Sequence, residues 1–212
     1  MTGARLAALA RKALWRAVLT MTGGLRVRGL GRLPSGPCVL VANHNSHADT
    51  AALIAALPAR RRPAVAAAAD YWFPGTRWGL GGPLRAAAGR SLCGAFPVRR
   101  GGGGSADLAA AASLLASGRD VIVFPEGTRS RDGHVAEFHR GAARLAELAG
   151  VPLVPVGITG TRSLLPPGGA GCRTRSRPRP SLVTVRIGVP ASAERTAAVR
   201  EQVIRLARLD HL

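Results

Sequence analysis

Residues 38–59, CVLVANHNSHADTAALIAALPA, decide the fold of this 212-residue chain. Cys38 to Ala42 form a short, wholly apolar run, which reads as a buried strand. From His47 the apolar residues recur at helical spacing until Pro58, where the helix has to end. The same strand, polar turn and helix recur downstream. GAFPV (94–98) reads as a short strand, and Ser105 to Ser117 as a helix stopped at Gly118. DVIVF (120–124) is a buried strand, FHRGAARLAELAG (138–150) a helix stopped at Gly150, and VPLVPVGI (151–158) another strand. SLVTVRIG (181–188) is a last strand and SAERTAAVREQVIRLARL (192–209) a closing helix. This alternation predicts an α/β fold, a layered, mostly parallel sheet flanked by helices, with the chemistry at the carboxyl ends of the strands.

Upstream, LRVRGLGRLPSGP (25–37) reads as a short strand and a turn. Residues 63–93 resist segmentation: an alanine run leads into DYWFPGTRWGLGGPL (70–84), whose Tyr71, Trp72, Phe73 and Trp78 are either core or a contact for an acyl chain or membrane interface. The first 24 residues read as a separate basic amphipathic helix ahead of a single domain from residue 25 to 212. Leu6, Ala10, Leu14, Ala17 and Met21 share one face of this helix, and Arg5, Lys12 and Arg16 gather opposite. Such a helix packs on its own domain or lies in a membrane interface with its cations toward anionic headgroups. Its recurring arginines interrupt the apolar run that a signal peptide needs.

The formal charge of +19 calls for an anionic partner, nucleic acid or membrane. Yet 29 of the 30 basic residues are arginine, the mark of a GC-rich coding sequence, and aromatics are only 4%, so no basic stripe interleaved with stacking rings appears. Nucleic acid is therefore not the expected partner. Cys38, Cys93 and Cys172 form no C-x-x-C pair, which argues against a disulfide framework and for a reducing cytoplasm. GGGGS (101–105) lacks the G-K-[ST] of a nucleotide-gripping loop.

Four stretches stand at the predicted strand ends: NHNSHAD (43–49), PVRR (97–100), PEGTRS (125–130) and PVGITG (155–160). In the first, Ser46 and Asp49 have the spacing of a capping box, with the helix starting just beyond Ser46. His44 is then left in the loop, and Asp49 lies in the first helical turn within reach of its ring. Asp49 can cap the helix and also fix the His44 tautomer, leaving the other ring nitrogen as a base. His47 falls inside the first turn as a bystander lining the site. Zinc is disfavoured because neither an H-E-x-x-H nor a C-x-x-C spacing accompanies the histidines, and no G-x-S-x-G surrounds Ser46. Arg129, with Arg99 or Arg100, supplies planar forks suited to a phosphate. A histidine base, a hydroxyl and a phosphate point to acyl or phosphoryl transfer to a phosphorylated alcohol.

NHNSHAD, GAFPVRR, FPEGTRS and VPLVPV, in this order and spacing, resemble the four motifs of the glycerolipid acyltransferases, typified by 1-acyl-sn-glycerol-3-phosphate acyltransferase; the resemblance spans residues 28–190. It implies the fold of the glycerol-3-phosphate acyltransferases and a catalytic pair, His44 as general base and Asp49 as its partner. The base would deprotonate the sn-2 hydroxyl of 1-acyl-sn-glycerol 3-phosphate, which attacks an acyl thioester directly, without an acyl-enzyme. By the same resemblance Arg100, Glu126, Gly127, Thr128 and Arg129 would hold the glycerol phosphate, and Pro152 and Pro155 match the fourth motif. It implies no cofactor beyond acyl-CoA or acyl carrier protein as co-substrate, and partners limited to a lyso-lipid acceptor, the thioester donor and an anionic membrane surface. The resemblance also implies a peripheral, monotopic protein on the cytoplasmic face of the cell membrane. His47 and Arg99 depart from the family's pattern, which leaves another lyso-lipid or glycerol 3-phosphate as the alternative acceptor.

Overall fold

The computed structural model describes residues 3–69, 81–99, 104–166 and 177–208. In chain order they form α1 (Gly3–Met21), β1 (Leu25–Arg28), β2 (Val39–Ala42), α2 (Ala48–Ala56), β3 (Ala64–Ala68), α3 (Gly81–Cys93) and β4 (Ala95–Val98). There follow α4 (Ser105–Ala116), β5 (Val121–Val123), α5 (Gly141–Ala149), β6 (Leu153–Thr159), the single turn α6 (Thr161–Leu164), β7 (Val183–Ile187) and α7 (Thr196–Arg208). The strands make one sheet of order β1-β7-β6-β2-β5-β3-β4. β6, β2, β5, β3 and β4 run parallel, whereas β7 is antiparallel to β6 and carries β1 with it. Tyr71, Trp72, Phe73, Trp78, Arg100, Cys172 and most of the GGGGS and 169–180 loops lie outside the described residues.

The apolar run that read as a buried strand is the middle of this sheet. Leu40 and Ala42 enter a cluster with Leu53 and Ala56 of α2 and Leu19 of α1. Val39 and Val41 alternate into a second cluster with Ala111 and Leu115 of α4, Leu145 of α5 and Val199 of α7. Period-two alternation thus feeds both faces, and each fully buried Val, Leu or Ile contributes about 1.5–3 kcal/mol. At Gly157 an added Cβ would strike the backbone of Leu206 and Ala207, so α7 crosses β6 at a distance only glycine permits.

Two readings are refined. The alanine run that resisted segmentation contains β3, held between β5 and β4; alanine has little strand preference, and the pairing decides it. The helix expected from Phe138 begins at Gly141, and His139 N–H ahead of it donates to Pro125 C=O.

α1 does pack on the domain, but not through the stripe expected. Ala8 and Leu19 are buried, Trp15 packs on the core with its Nε1–H on Leu92 C=O at 2.8 Å, and Lys12 Nζ donates to Leu57 C=O at 2.8 Å. Burial, with Arg16 and Arg60 nearby, pushes the Lys12 ammonium below its ordinary value. Leu6, Ala10, Leu14, Ala17 and Met21 all point away from the domain.

Candidate active site

Because β2 has parallel neighbours on both sides, the loops that leave β2, β5 and β6 emerge at one edge of the sheet. There the NHNSHAD and PEGTRS stretches meet the β6–α6 turn. Asn43, fully buried at the end of β2, ties this edge together with an amide pair to Ile158, donating Nδ2 to its C=O at 3.0 Å and accepting its N–H at 2.7 Å.

His44 is gripped by its backbone. Its N–H donates to Glu126 Oε1 at 2.7 Å and its C=O accepts from Ser130 N–H at 2.7 Å, both from PEGTRS. Its ring stacks on Phe124, centroids 4.1 Å apart and planes 19° apart. Nδ1 lies 2.9 Å from Asp49 Oδ2. A carboxylate only accepts, so Nδ1 carries the hydrogen and Nε2 keeps its lone pair in the neutral ring.

Asp49 is fully buried, and four hydrogen bonds satisfy its carboxylate. Oδ2 also accepts from the N–H groups of Asn45 (2.7 Å) and Ser46 (2.8 Å), while Oδ1 accepts from Thr161 Oγ1 at 2.6 Å. The capping box is therefore half formed. Asp49 reaches back to Ser46 N–H, but Ser46 Oγ takes Ala48 N–H, and the helix begins at Ala48 with His47 as its first flanking residue.

His44 opens onto a cavity of about 560 Å³, a size suited to a small-molecule ligand. Its lining includes apolar residues, Ala66 to Ala68 of β3 with Leu108, Ala111 and Leu145, and the cationic Arg129, Arg140 and Arg144, with His139, Gly127 and Thr128. Gly127 has φ +70, and an added Cβ would press His139 at 3.2 Å. Arg99 also lines the cavity, its backbone N–H and Nε bound to Asp107 in the first turn of α4. His47 is half-buried and lines it too.

Glu126 was expected among the groups holding a glycerol phosphate, and its geometry points elsewhere. Both oxygens serve backbone N–H groups, Oε1 that of His44 and Oε2 that of Ala136 at 3.0 Å, and the carboxylate is buried. An anion in that position would repel a phosphate; here it fixes the histidine loop. Burial raises its carboxyl above the ordinary value, opposed by those two amides. Sequence reasoning passed over Asn43, Phe124 and Thr161, of which only Phe124, closing an apolar strand, carried a signal. Among the described residues no three His, Cys, Asp or Glu side chains cluster as metal ligands.

The arrangement can hold a neutral imidazole as a base in a cavity lined by both apolar side chains and arginines. Comparison with known proteins shows the family. The family model described as Acyltransferase matches residues 24–159. A chloroplastic 1-acyl-sn-glycerol-3-phosphate acyltransferase of Brassica napus is 32% identical over 149 residues, covering 68% of this chain and 40% of that protein. The human 1-acyl-sn-glycerol-3-phosphate acyltransferase alpha is 34% identical over 137 residues, covering 62% and 44%. The chain thus spans less than half the length of these relatives. The crystal structure of the 1-acyl-sn-glycerophosphate acyltransferase of Thermotoga maritima superposes with a TM-score of 0.72 at 24% identity, over 96% of this chain and 79% of that one, and shares the fold. With the motif loops gathered at one sheet edge and the family model covering most of the domain, the chain belongs to the acyltransferase family.

Proposed function

We propose that the protein transfers a fatty acyl group from acyl-CoA or acyl carrier protein to the sn-2 hydroxyl of 1-acyl-sn-glycerol 3-phosphate, giving phosphatidic acid. The observation that carries this reading is the His44–Asp49 pair, with Nδ1 bound at 2.9 Å and the ring facing the cavity. The acceptor hydroxyl gives its proton to Nε2 as its oxygen attacks the thioester carbonyl carbon. Collapse of the tetrahedral intermediate breaks the C–S bond, and the imidazolium returns the proton to the leaving thiolate. No acyl-enzyme and no cofactor beyond the co-substrate enter this scheme.

A phosphate-bearing acceptor is supported by Arg129, Arg140 and Arg144 in the cavity lining, which form no ion pair with a described residue. The assignment of Arg129, Gly127 and Thr128 to the glycerol phosphate belongs to this proposal, as does Arg100. The names of the Brassica and human relatives point to the same acceptor. The apolar side chains of the lining suit an acyl chain.

The same proposal sets the protein on the cytoplasmic face of a membrane, bound by α1. Opposite its docked side, α1 exposes Leu6, Leu14 and Met21, the last 85% exposed, while Arg5 and Arg16 are exposed on the flank with Leu9. No described helix is long and apolar enough to cross a membrane.

The test is purified protein offered a panel of lyso-lipids and glycerol 3-phosphate with each thioester donor, read by mass spectrometry. Consumption of 1-acyl-sn-glycerol 3-phosphate, abolished in a folded His44→Ala variant, is expected. Preference for a lyso-aminolipid or lysophospholipid would reassign the acceptor, and full activity of His44→Ala would remove the general base.

A further inference from the structure

We propose that Thr161 is a positioning residue for the transfer, acting through Asp49 on His44; this rests on the general-base reading above. Thr161 opens α6, directly after β6 and beyond the four motif stretches. It is buried, and its hydroxyl donates at 2.6 Å to Asp49 Oδ1, the carboxylate oxygen that the histidine loop leaves untouched.

The geometry gives that bond a specific task. Oδ2 accepts from three donors on the chain between residues 44 and 46. With Oδ1 unbound, rotation about the Cβ–Cγ bond would be opposed from one side only. A donor on Oδ1 from a different element fixes the carboxylate plane, and the plane fixes the imidazole ring. Losing the donor leaves a fully buried carboxylate oxygen unsatisfied, which favours rotation or protonation. In either case His44 Nδ1 loses its fixed acceptor, and the tautomer with a bare Nε2 is no longer enforced.

The rest of the turn braces the same loops. Leu165 C=O accepts from Ser46 Oγ at 2.7 Å, and the Arg162 guanidinium donates to Ser130 C=O at 3.1 Å and Arg131 C=O at 2.5 Å. α6 thus joins the loop carrying the base to the loop that clamps its backbone, and Thr161 is its contact with the ionised group.

Thr161→Val removes the hydroxyl and keeps the shape, Thr161→Ser keeps the hydroxyl, and Thr161→Ala, run alongside, removes both should the valine variant misfold. Steady-state kinetics well below the unfolding temperature are paired with ¹⁵N spectra of labelled histidine, the His44 signals assigned by their loss in His44→Ala. Thr161→Val is expected to lower kcat about ten- to a hundredfold, as misplacement of a reacting group does, with KM for both substrates little changed. Thr161→Ser is expected to restore it, and the ¹⁵N shifts to move from a single Nδ1–H tautomer to a mixture only in the variants lacking the hydroxyl.

An unchanged kcat and tautomer in Thr161→Val would overturn the proposal. So would equal losses in Thr161→Val and Thr161→Ser that track thermal stability, since these report packing. If the wild type moves no acyl group, the proposed function fails, and the tautomer shift alone then decides whether Thr161 orders the pair.

Discussion

Asp49 and Glu126 are two buried carboxylates at one sheet edge with different work. Asp49 binds the His44 ring, whereas Glu126 binds the His44 backbone. Asp49→Asn can keep one oxygen for the three donors on Oδ2 and turn its NH₂ toward Thr161 Oγ1, but it removes the negative charge that stabilises the imidazolium formed when His44 takes a proton. It is expected to lower kcat about 10²–10⁴-fold, the span of general-base catalysis, with the far-UV circular dichroism retained. Glu126 titrates above its ordinary value because it is buried, despite the two amides that favour its ionised form. Its folded form therefore binds a proton more tightly than the unfolded chain. The stability it contributes is fully present below its unfolded value, about 4.3, and is lost as pH rises through the raised folded one. Glu126→Gln removes that titration. Urea unfolding across this window is expected to show the wild type's advantage over the variant shrinking as pH rises, while kcat of the variant falls because the amide has one acceptor for two N–H groups.

α1 shows at the scale of an element how one helix presents two apolar faces. The periodicity reveals the stripe from Leu6 to Met21, but the domain takes the other side, through Ala8, Trp15 and Leu19. Trp15→Ala is expected to cost about 3 kcal/mol in chemical denaturation, the range of a large-to-small core change. The triple change Leu6→Ser, Leu14→Ser and Met21→Ser falls on exposed sites, where single substitutions stay within about 0.5 kcal/mol. Sedimentation with anionic vesicles is expected to show at least about a tenfold loss of binding for the triple variant, from the apolar area removed. Unchanged binding would mean that α1 is not the anchor.

Over the whole molecule, the candidate site and a buried ion pair sit at opposite edges of the sheet. At the amino ends of β2 and β5, buried Arg61 forms a bidentate pair with Asp120 through Nε and a second nitrogen, and also donates to Pro34 C=O (2.7 Å) and Gly36 C=O (2.8 Å). Asp120 accepts Cys38 N–H at 3.1 Å, and burial beside that carboxylate pushes the Cys38 thiol up to about 12. Asp120→Ala strands the guanidinium and is expected to cost about 3–5 kcal/mol in unfolding experiments. Since the pair lies across the sheet from His44, kcat of the folded fraction is expected to stay near wild type.

Outside residues 63–93 and the short α6, the sequence by itself determined the order of strands and helices, the mostly parallel character of the sheet and the loops that carry the candidate site. Apolar runs, helical spacing and stop residues such as Pro58, Gly118 and Gly150 are local signals, and local backbone preference answers to them. It also singled out His44 and Asp49, because a capping spacing confines both to one turn. Tertiary structure alone decided that β3 exists, since an alanine run is neutral until β4 and β5 flank it. It decided which side of α1 is covered, a matter of what the neighbouring helix presents. It likewise set Glu126 on the His44 backbone and Thr161 on Asp49, contacts spanning 82 and 112 residues. Partners so far apart in the chain are set by strand order, which a single residue's chemistry does not encode.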